Sequence, residues 1–169
     1  MEQIIIRDAL EKDFPAIVKL NADQVEFTSD MDVARLKLLD SLAMYHRVAI
    51  AGDRVVAFML AMKDNVHYEN DNYYWFSERY DSFLYIDRIV VAAGFQGRKI
   101  GTMFYEDIFQ FARDNRIPLI TCEINSVPPN ERSLTFHAKH GFEEVGERWL
   151  DKNKKVSKQV ARCRFNAQT

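Results

Sequence analysis

Residues 85–102 read YIDRIVVAAGFQGRKIGT and carry the clearest structural signal in the chain. As far as Val91 the segment is dominated by isoleucine and valine, which predicts a β-strand. Two-residue alternation puts one set of side chains on a common inward face of this strand: Tyr85, Asp87, Ile89 and Val91. From Ile100 onward, apolar residues recur at three- and four-residue spacing, which predicts an amphipathic helix. The segment therefore predicts a strand, a glycine-bearing turn and a helix.

The turn between this strand and this helix has the chemistry of a phosphate site. A helix amino terminus presents backbone N–H groups without helical partners and the positive end of the helix dipole. Gly97 and Gly101 carry no Cβ, so a ligand can approach the backbone closely there. The glycine spacing matches neither a Walker loop nor a dinucleotide fingerprint, and spacing alone leaves phosphate binding and a plain structural turn as equal interpretations.

Two motifs resemble the signatures of the GNAT N-acetyltransferase superfamily. The run QGRKIG at 96–101 is similar to the acyl-coenzyme A motif Gln/Arg-x-x-Gly-x-Gly/Ala, except that Lys99 stands where the first glycine is expected. The run NERSLTFHAKHGF at 130–142 resembles the second signature, in which an Asn opens a helix that ends in Gly-Phe. Two signatures in this order are more specific than either alone. Within the superfamily, the chain is most similar to bacterial predicted acetyltransferases of unassigned substrate.

The resemblance implies the fold and the activity. The implied fold is α+β, with one acetyltransferase domain over residues 1–169 and helices on both faces of a mixed, mostly antiparallel sheet whose two central parallel strands splay apart. The implied activity is direct acetyl transfer from acetyl-CoA, the co-substrate, to the amine of a small molecule or an amino-acid-like acceptor. Direct transfer needs no protein nucleophile, in keeping with a sequence without a defensible Cys/His or Ser/His/Asp arrangement.

The resemblance also implies which residues bind the coenzyme. The backbone of the strand would pair with the pantetheine arm, the backbone amides of the turn would bind the phosphates, and two residues of the second motif would touch the pantetheine or nucleotide end. In that order the residues are Ile89, Val90 and Val91, then Gln96, Gly97, Arg98, Lys99, Ile100, Gly101 and Thr102, then Asn130 and Ser133. The Lys99 side chain would add a cation near the phosphates.

Four residues are candidates for proton transfer. Asp87 is the first candidate base, because relatives often carry a carboxylate or a histidine at this strand position, and the alternative is an ion pair with Arg88 or another basic residue. Glu123 on the next predicted strand is the second candidate base. His137 stands where the family's usual acid, a tyrosine, is expected, and it either donates a proton or only packs in its helix. Tyr85 is the fallback acid.

The rest of the chain alternates between strand and helix patterns. Strands are predicted at 3–7, 45–51, 54–63, 118–124, 142–150 and 156–165. Helices are predicted at 11–20 and at 130–140, where Gly141 ends the helix, and a further helix is predicted to begin after a cap at Asp30. Residues 64–82 interleave aromatic and acidic side chains and are predicted as a long loop. This loop is either an acceptor-site wall, with rings for contact and carboxylates for an amine, or a segment that packs its rings on the sheet or on a second copy.

Composition excludes several classes of partner and site. A net charge of −2 and a pI near 6.1 argue against nucleic-acid binding, and no apolar run is long enough to span a membrane. The histidines lack metal-ligand spacing with one another or with the cysteines, so no metal is expected. Cys122 and Cys163 lie in apolar runs and are predicted to be reduced core residues.

Three wider expectations follow from the sequence. The beginning of the chain shows no secretory signal, so a cytoplasmic location is expected. The family and the apolar last strands favour a homodimer. The alternative to an enzyme is a non-catalytic acyl-CoA-binding sensor or partner module, for which Lys99 and the missing tyrosine are the best support.

Overall fold

The structure, a computed structural model, describes residues 2–24 and 28–164. The helices and strands follow one another as β1 (Ile4–Asp8), α1 (Phe14–Asp23), α2 (Val33–Leu42), β2 (Ala43–Ala51), β3 (Arg54–Lys63), α3 (Asp71–Ser77), β4 (Leu84–Val91), α4 (Ile100–Asp114), β5 (Leu119–Val127), α5 (Glu131–Lys139), β6 (Glu143–Trp149) and β7 (Lys155–Arg162). Short 3-10 turns precede α1 and follow β4. The predicted strand, turn and helix of residues 85–102 are confirmed.

The strands form one mixed sheet in the order β1-β2-β3-β4-β5-β7-β6. β4 and β5 are parallel, with Leu84 beside Ile120 and Tyr85 beside Thr121. The pairs β1/β2, β2/β3, β5/β7 and β6/β7 are antiparallel, so the predicted mixed, mostly antiparallel sheet is confirmed. The chain divides into two units, Met1–His67 with Ile86–Ile108 and Tyr68–Tyr85 with Phe109–Thr169.

The predicted inward face of β4 is wrong for Ile89 and Val91. Ile86, Arg88 and Val90 are buried, whereas Ile89 and Val91 are only half-buried, and the side chain of Asp87 is 6% exposed. Leu84, Tyr85 and Ile86 are buried in succession, as expected for a central strand that is covered on both faces. Alternation alone does not tell which face of such a strand is the more deeply buried.

Local capping explains where several helices begin. Asp32, not the predicted Asp30, caps α2, because its Oδ1 lies 2.7 Å from the backbone N of Arg35, three residues on. Asn130 caps α5 as predicted, accepting from the backbone N of Ser133 at 3.2 Å. Gly141 follows α5 with a φ of +86°, as expected for a residue that ends a helix.

The prediction of a loop at 64–82 is wrong for its central part, which is α3. Asn70 caps this helix, because its side-chain oxygen accepts a hydrogen bond from the backbone N–H of Tyr73 at 3.0 Å. The carboxylate of Asp71 in the first turn interacts favourably with the positive end of the helix dipole. The Asn-Asp pair was a usable start signal, but the helix is short and its apolar pattern is weak.

Three other findings bear on the expectations from composition. Cys122 and Cys163 are both free and buried, which confirms them as reduced core residues. None of the described helices is both long enough and apolar enough to cross a membrane. Over residues 2–24 and 28–164, no cluster of three His, Cys, Asp or Glu side chains is arranged to hold a metal ion.

Candidate active site

Tyr85 and Glu123 are the two predicted catalytic residues that the structure brings together. The Tyr85 hydroxyl donates to the Glu123 carboxylate and lies 2.6 Å from Oε1 and 2.7 Å from Oε2. Tyr85 is fully buried at the parallel pairing of β4 with β5, and Glu123 is half-buried further along β5. A charge-assisted hydrogen bond of this length fixes the carboxylate in one orientation.

The rings of α3 and its neighbours surround Tyr85. Its ring centroid lies 5.6 Å from that of Tyr73, nearly perpendicular, and 5.9 Å from that of Phe76. Tyr68 and Phe83 extend the cluster from Tyr73 at 5.6 and 5.8 Å. All four of these rings are buried, so Tyr68, Tyr73 and Phe76 match the packing interpretation of residues 64–82. Their packing holds the hydroxyl of Tyr85 against Glu123.

Lys158, which the sequence analysis did not single out, lies opposite Glu123 in the β5–β7 register. It is fully buried, and its Nζ donates to Asn72 Oδ1 at 2.6 Å. Burial lowers the pKa of Lys158 to about 8, and the Glu123 carboxylate opposes that shift. Facing positions on an antiparallel pair share one side of the sheet, so this ammonium belongs to the surroundings of the carboxylate.

The indole of Trp75 packs α3 against β6. A Cβ at Gly146 would lie 2.5 Å from a ring atom of Trp75, so only glycine leaves room for the indole there. The Arg79 guanidinium covers the ring, 3.8 Å from its centroid. Asp71 and Asn72 also accept from Arg148 of β6, each at 3.2 Å.

We therefore expect Gly146→Val to destabilise the fold by about 2 kcal/mol, because the new side chain would clash with the Trp75 ring. Urea unfolding measures the loss. Glu144→Val, at an exposed site on the same strand, is the matched control and should change stability by less than about 0.5 kcal/mol. In a Trp75→Ala background the valine has room, so its cost should fall sharply. An equal cost in both backgrounds would rule out this contact as the cause.

Asp87 lies in an ion pair with its neighbour. Its Oδ2 is 3.2 Å from Arg88 Nε, and the two side chains are 6% and 7% exposed. Arg88 Nη1 also donates to Asn21 Oδ1, Thr28 Oγ1 and the Ser29 carbonyl. The contact expected for a structural role of Asp87 is thus present, and its role as a base stays a prediction.

Two residues of the turn after β4, Gly97 and Lys99, have the positive φ that glycine adopts most readily. Gly97 has a φ of +82°, with no atom within 4 Å of the place that a Cβ would occupy, and Lys99 has a φ of +62°. The lysine thus adopts the left-handed conformation, which glycine takes more readily than any residue with a Cβ. The Lys99 carbonyl accepts from the backbone N of Met103, so the N–H groups of residues 100–102 form the first turn of α4. This cradle of backbone N–H groups beside an open glycine suits a phosphate.

We expect Lys99→Val to cost about 1 kcal/mol of stability, because a β-branched side chain fits the left-handed region poorly. Arg98→Val next to it should cost only the contact of its guanidinium with the Phe95 ring, about 0.5 kcal/mol, since Arg98 does not have a positive φ. Chemical denaturation of both variants makes the comparison. Equal stabilities would mean that the turn has a different backbone.

The other predicted coenzyme residues have the following positions. Ile89, Val90 and Val91 end β4, and the Gln96 side chain reaches back to the Val91 carbonyl at 3.4 Å. The Arg98 guanidinium stacks on the Phe95 ring, 4.7 Å from its centroid. Their contacts with a coenzyme remain predictions.

His137 is buried within α5 and faces its own helix. Its Nδ1 lies 2.7 Å from the Ser133 carbonyl, and its ring packs on Phe142 with centroids 5.0 Å apart. Burial lowers the pKa of His137 to about 4, so the imidazole is neutral near pH 7 and its Nδ1–H donates to that carbonyl. The structure brings Asn130, Ser133 and His137 together on one helix, and the acid role of His137 stays a prediction.

Comparison with known proteins gives a family match and a set of similar folds. The model of the acetyltransferase (GNAT) family matches residues 6–142. No curated protein sequence matches this chain. The ribosomal-protein-S18-alanine N-acetyltransferase from Escherichia coli superposes with a TM-score of 0.76 at 11% identity, over 99% of this chain and 98% of that chain.

Two further solved structures are similar over nearly their whole length. Ard1 from Thermoplasma volcanium has a TM-score of 0.75 at 14% identity, over 94% of this chain and 97% of that one. Arabidopsis thaliana Naa50, in complex with the bisubstrate analogue CoA-Ac-MVNAL, has a TM-score of 0.70 at 14% identity, over 93% of this chain and 97% of that one. At these identities the likeness shows the fold.

Proposed function

The chain belongs to the acetyltransferase (GNAT) family, so it is an N-acetyltransferase with acetyl-CoA as its co-substrate, and we propose that Glu123 is its catalytic base. The observation that carries this proposal is the hydrogen bond from the Tyr85 hydroxyl to the Glu123 carboxylate, 2.6 Å from Oε1. A base must be held in one orientation to accept a proton efficiently, and this contact holds it.

Glu123 is preferred to Asp87 because of what neutralises each carboxylate. The charge of Asp87 is matched by an adjoining guanidinium within the same ion pair. Glu123 instead receives a hydrogen bond from the neutral Tyr85 hydroxyl and faces, across the strand pair, Lys158, whose Nζ donates to Asn72. A carboxylate offers about four lone-pair sites, so the bond from one hydroxyl is compatible with accepting a proton from an amine.

The proposed chemistry transfers one net proton from the amine to the leaving thiolate, through Glu123 and Tyr85. Acetyl-CoA supplies a thioester, whose carbonyl carbon the free amine attacks as the C–S bond breaks. The amine proton passes to Glu123, directly or through one water. Tyr85 holds the carboxylate and is our candidate acid: its hydroxyl proton goes to the leaving thiolate and is replaced from the protonated Glu123. No protein nucleophile takes part.

For the coenzyme we propose the backbone of Ile89–Val91 and the turn at 96–102. The positive φ values at Gly97 and Lys99 and the first turn of α4 support the turn as the phosphate site. Asn130 and Ser133 are proposed as further contacts, although the Asn130 side chain already caps α5. The homodimer and the cytoplasmic location remain predictions from the sequence.

The proposed acceptor is the primary amine of a small molecule or an amino acid. The half-buried position of Glu123, bonded to the Tyr85 hydroxyl of a ring cluster, supports an acceptor that presents a single small amine group to the carboxylate. A peptide α-amine is the second candidate, because one similar structure is named for a ribosomal-protein alanine and another holds a peptide-like analogue.

A panel of acceptors tests the proposal. Purified protein and acetyl-CoA are incubated with free amino acids, polyamines and alanine-initiated peptides, while free thiol and product mass are followed. Acetylation of a small amine supports the first candidate, and acetylation of peptides alone replaces it with the second. Hydrolysis of acetyl-CoA without any acetylated amine would contradict both.

A further inference from the structure

Lys158 is the most unusual polar side chain near the proposed base. Lysines are almost never fully buried unless they are paired, yet this one is 0% exposed in the middle of β7. Its Nζ donates to Asn72 Oδ1 at 2.6 Å and lies 5.3 and 5.7 Å from the ring centroids of Phe76 and Trp75. The ammonium is therefore fixed by one amide and by the faces of two aromatic rings.

The groups around Lys158 leave Glu123 as its counter-ion. From β6, Arg148 disfavours the charged lysine, and Arg79 beyond α3 does the same. From β5, Cys122 and Glu123 favour it, but burial raises the pKa of Cys122 well above its usual value, so that residue is a neutral thiol. From α3, Asp71 is engaged with Arg148, and Asn72 is uncharged.

We propose that Lys158 is a positioning residue for acetyl transfer, whose buried ammonium, fixed by Asn72, keeps the facing Glu123 carboxylate ionised and ready to accept a proton. This inference rests on the proposed role of Glu123 as the base. A carboxylate beside an apolar ring cluster tends to take up a proton, and a cation across the strand pair opposes that tendency. The pKa of Lys158, lowered to about 8, leaves it charged at neutral pH and below, where the effect is needed.

The direct test is a pH titration of the Glu123 side chain by NMR, with glutamate labelled at the carboxyl carbon. In Lys158→Met, which keeps the length of the side chain without its charge, the midpoint of the Glu123 signal should move up by about one to three pH units. Asn72 Oδ1 keeps a donor in this variant, Arg148 Nη1 at 3.2 Å. The signals of the exposed Glu143 and Glu144 are internal references.

Lys155→Met is the matched control. It removes a lysine from the same strand, but this lysine pairs with Glu147 and not with Glu123. The Glu123 midpoint should therefore stay where it is in the unaltered protein. A Glu123 midpoint that is unchanged in Lys158→Met, or that shifts equally in both variants, would overturn the proposal.

The unaltered protein provides a test that does not depend on the folding of a variant. With lysine labelled at Cε, Lys158 should titrate near pH 8, and the Glu123 signal should show a second, linked inflection at the same pH. A Glu123 signal that is flat across the Lys158 titration would contradict the coupling.

Kinetics then separates this inference from the proposed function. If both hold, Lys158→Met moves the acidic limb of the kcat/KM profile up in pH by the amount of the NMR shift. A purely structural role of Lys158 would lower the rate at every pH and leave the limb in place. An NMR shift without a shift of the limb would keep the coupling of Lys158 with Glu123 but reject Glu123 as the base, so Lys158 would have no positioning role.

Discussion

Replacing Glu123 with glutamine is expected to lower kcat about a hundred- to a thousandfold, the usual contribution of a general base. Glutamine has nearly the same shape and still accepts a hydrogen bond from the Tyr85 hydroxyl, so the ring cluster should keep its packing. The amide cannot accept a proton from the amine. Acetyl-CoA affinity should therefore change little, whereas thermal stability should fall, because the buried Lys158 loses its counter-ion. Steady-state thiol release and calorimetric binding measure the effects on catalysis and on coenzyme affinity separately.

Asp87→Asn is the control for this experiment, because it changes the other candidate base in the same way. We expect its effect on kcat to be less than about tenfold, since the carboxylate of Asp87 is paired with Arg88. A large loss in Asp87→Asn with a normal rate in Glu123→Gln would reverse the assignment and return Asp87 to the role of base.

Gly101→Glu is expected to abolish acetyl-CoA binding, with an affinity loss of at least about a hundredfold. Residue 101 lies in the first turn of α4, two residues after Lys99, whose φ is positive. A carboxylate there adds bulk to the cradle and repels the phosphates through an effective dielectric well below that of water. Isothermal titration, or the shift of the unfolding temperature with excess acetyl-CoA, measures the loss.

Gln110→Glu adds the same charge to α4 at an exposed position further along the helix. It should bind acetyl-CoA as the unaltered protein does, so a loss in both variants would indicate a general charge effect. Tight binding by Gly101→Glu would mean that the phosphates lie elsewhere than in this turn.

The sequence was most informative where chemistry is local. The turn at 96–101 required glycine-like conformations, and the structure has them at Gly97 and also at Lys99, where the residue type argued against it. The cap by Asn130 and the helix end at Gly141 depend on residues within one helical turn, and both were predictable. The mixed, mostly antiparallel character of the sheet followed from the family resemblance.

The features that the sequence did not reveal depend on long-range register and competing contacts. Glu123 faces Lys158 only because β5 pairs with β7 in one register, which no local pattern specifies. The ion pair of Asp87 was foreseen as an alternative, but only the structure shows how many oxygen atoms also hold Arg88. The helix α3 was not predicted because it has only seven residues and because its aromatic residues have low intrinsic helix propensity.

The measurement that tests the central claim most directly is the pH dependence of kcat/KM in the unaltered protein and in Glu123→Gln, with saturating acetyl-CoA and the best amine of the acceptor panel. Below the pKa of the amine, protonation of the amine lowers kcat/KM tenfold for each pH unit in both profiles. Our account predicts a second ionisation on the acidic side of the unaltered profile, so that its slope approaches two there, while the slope for Glu123→Gln stays at one. Two profiles of the same shape that differ only in height would contradict the assignment of Glu123 as the base.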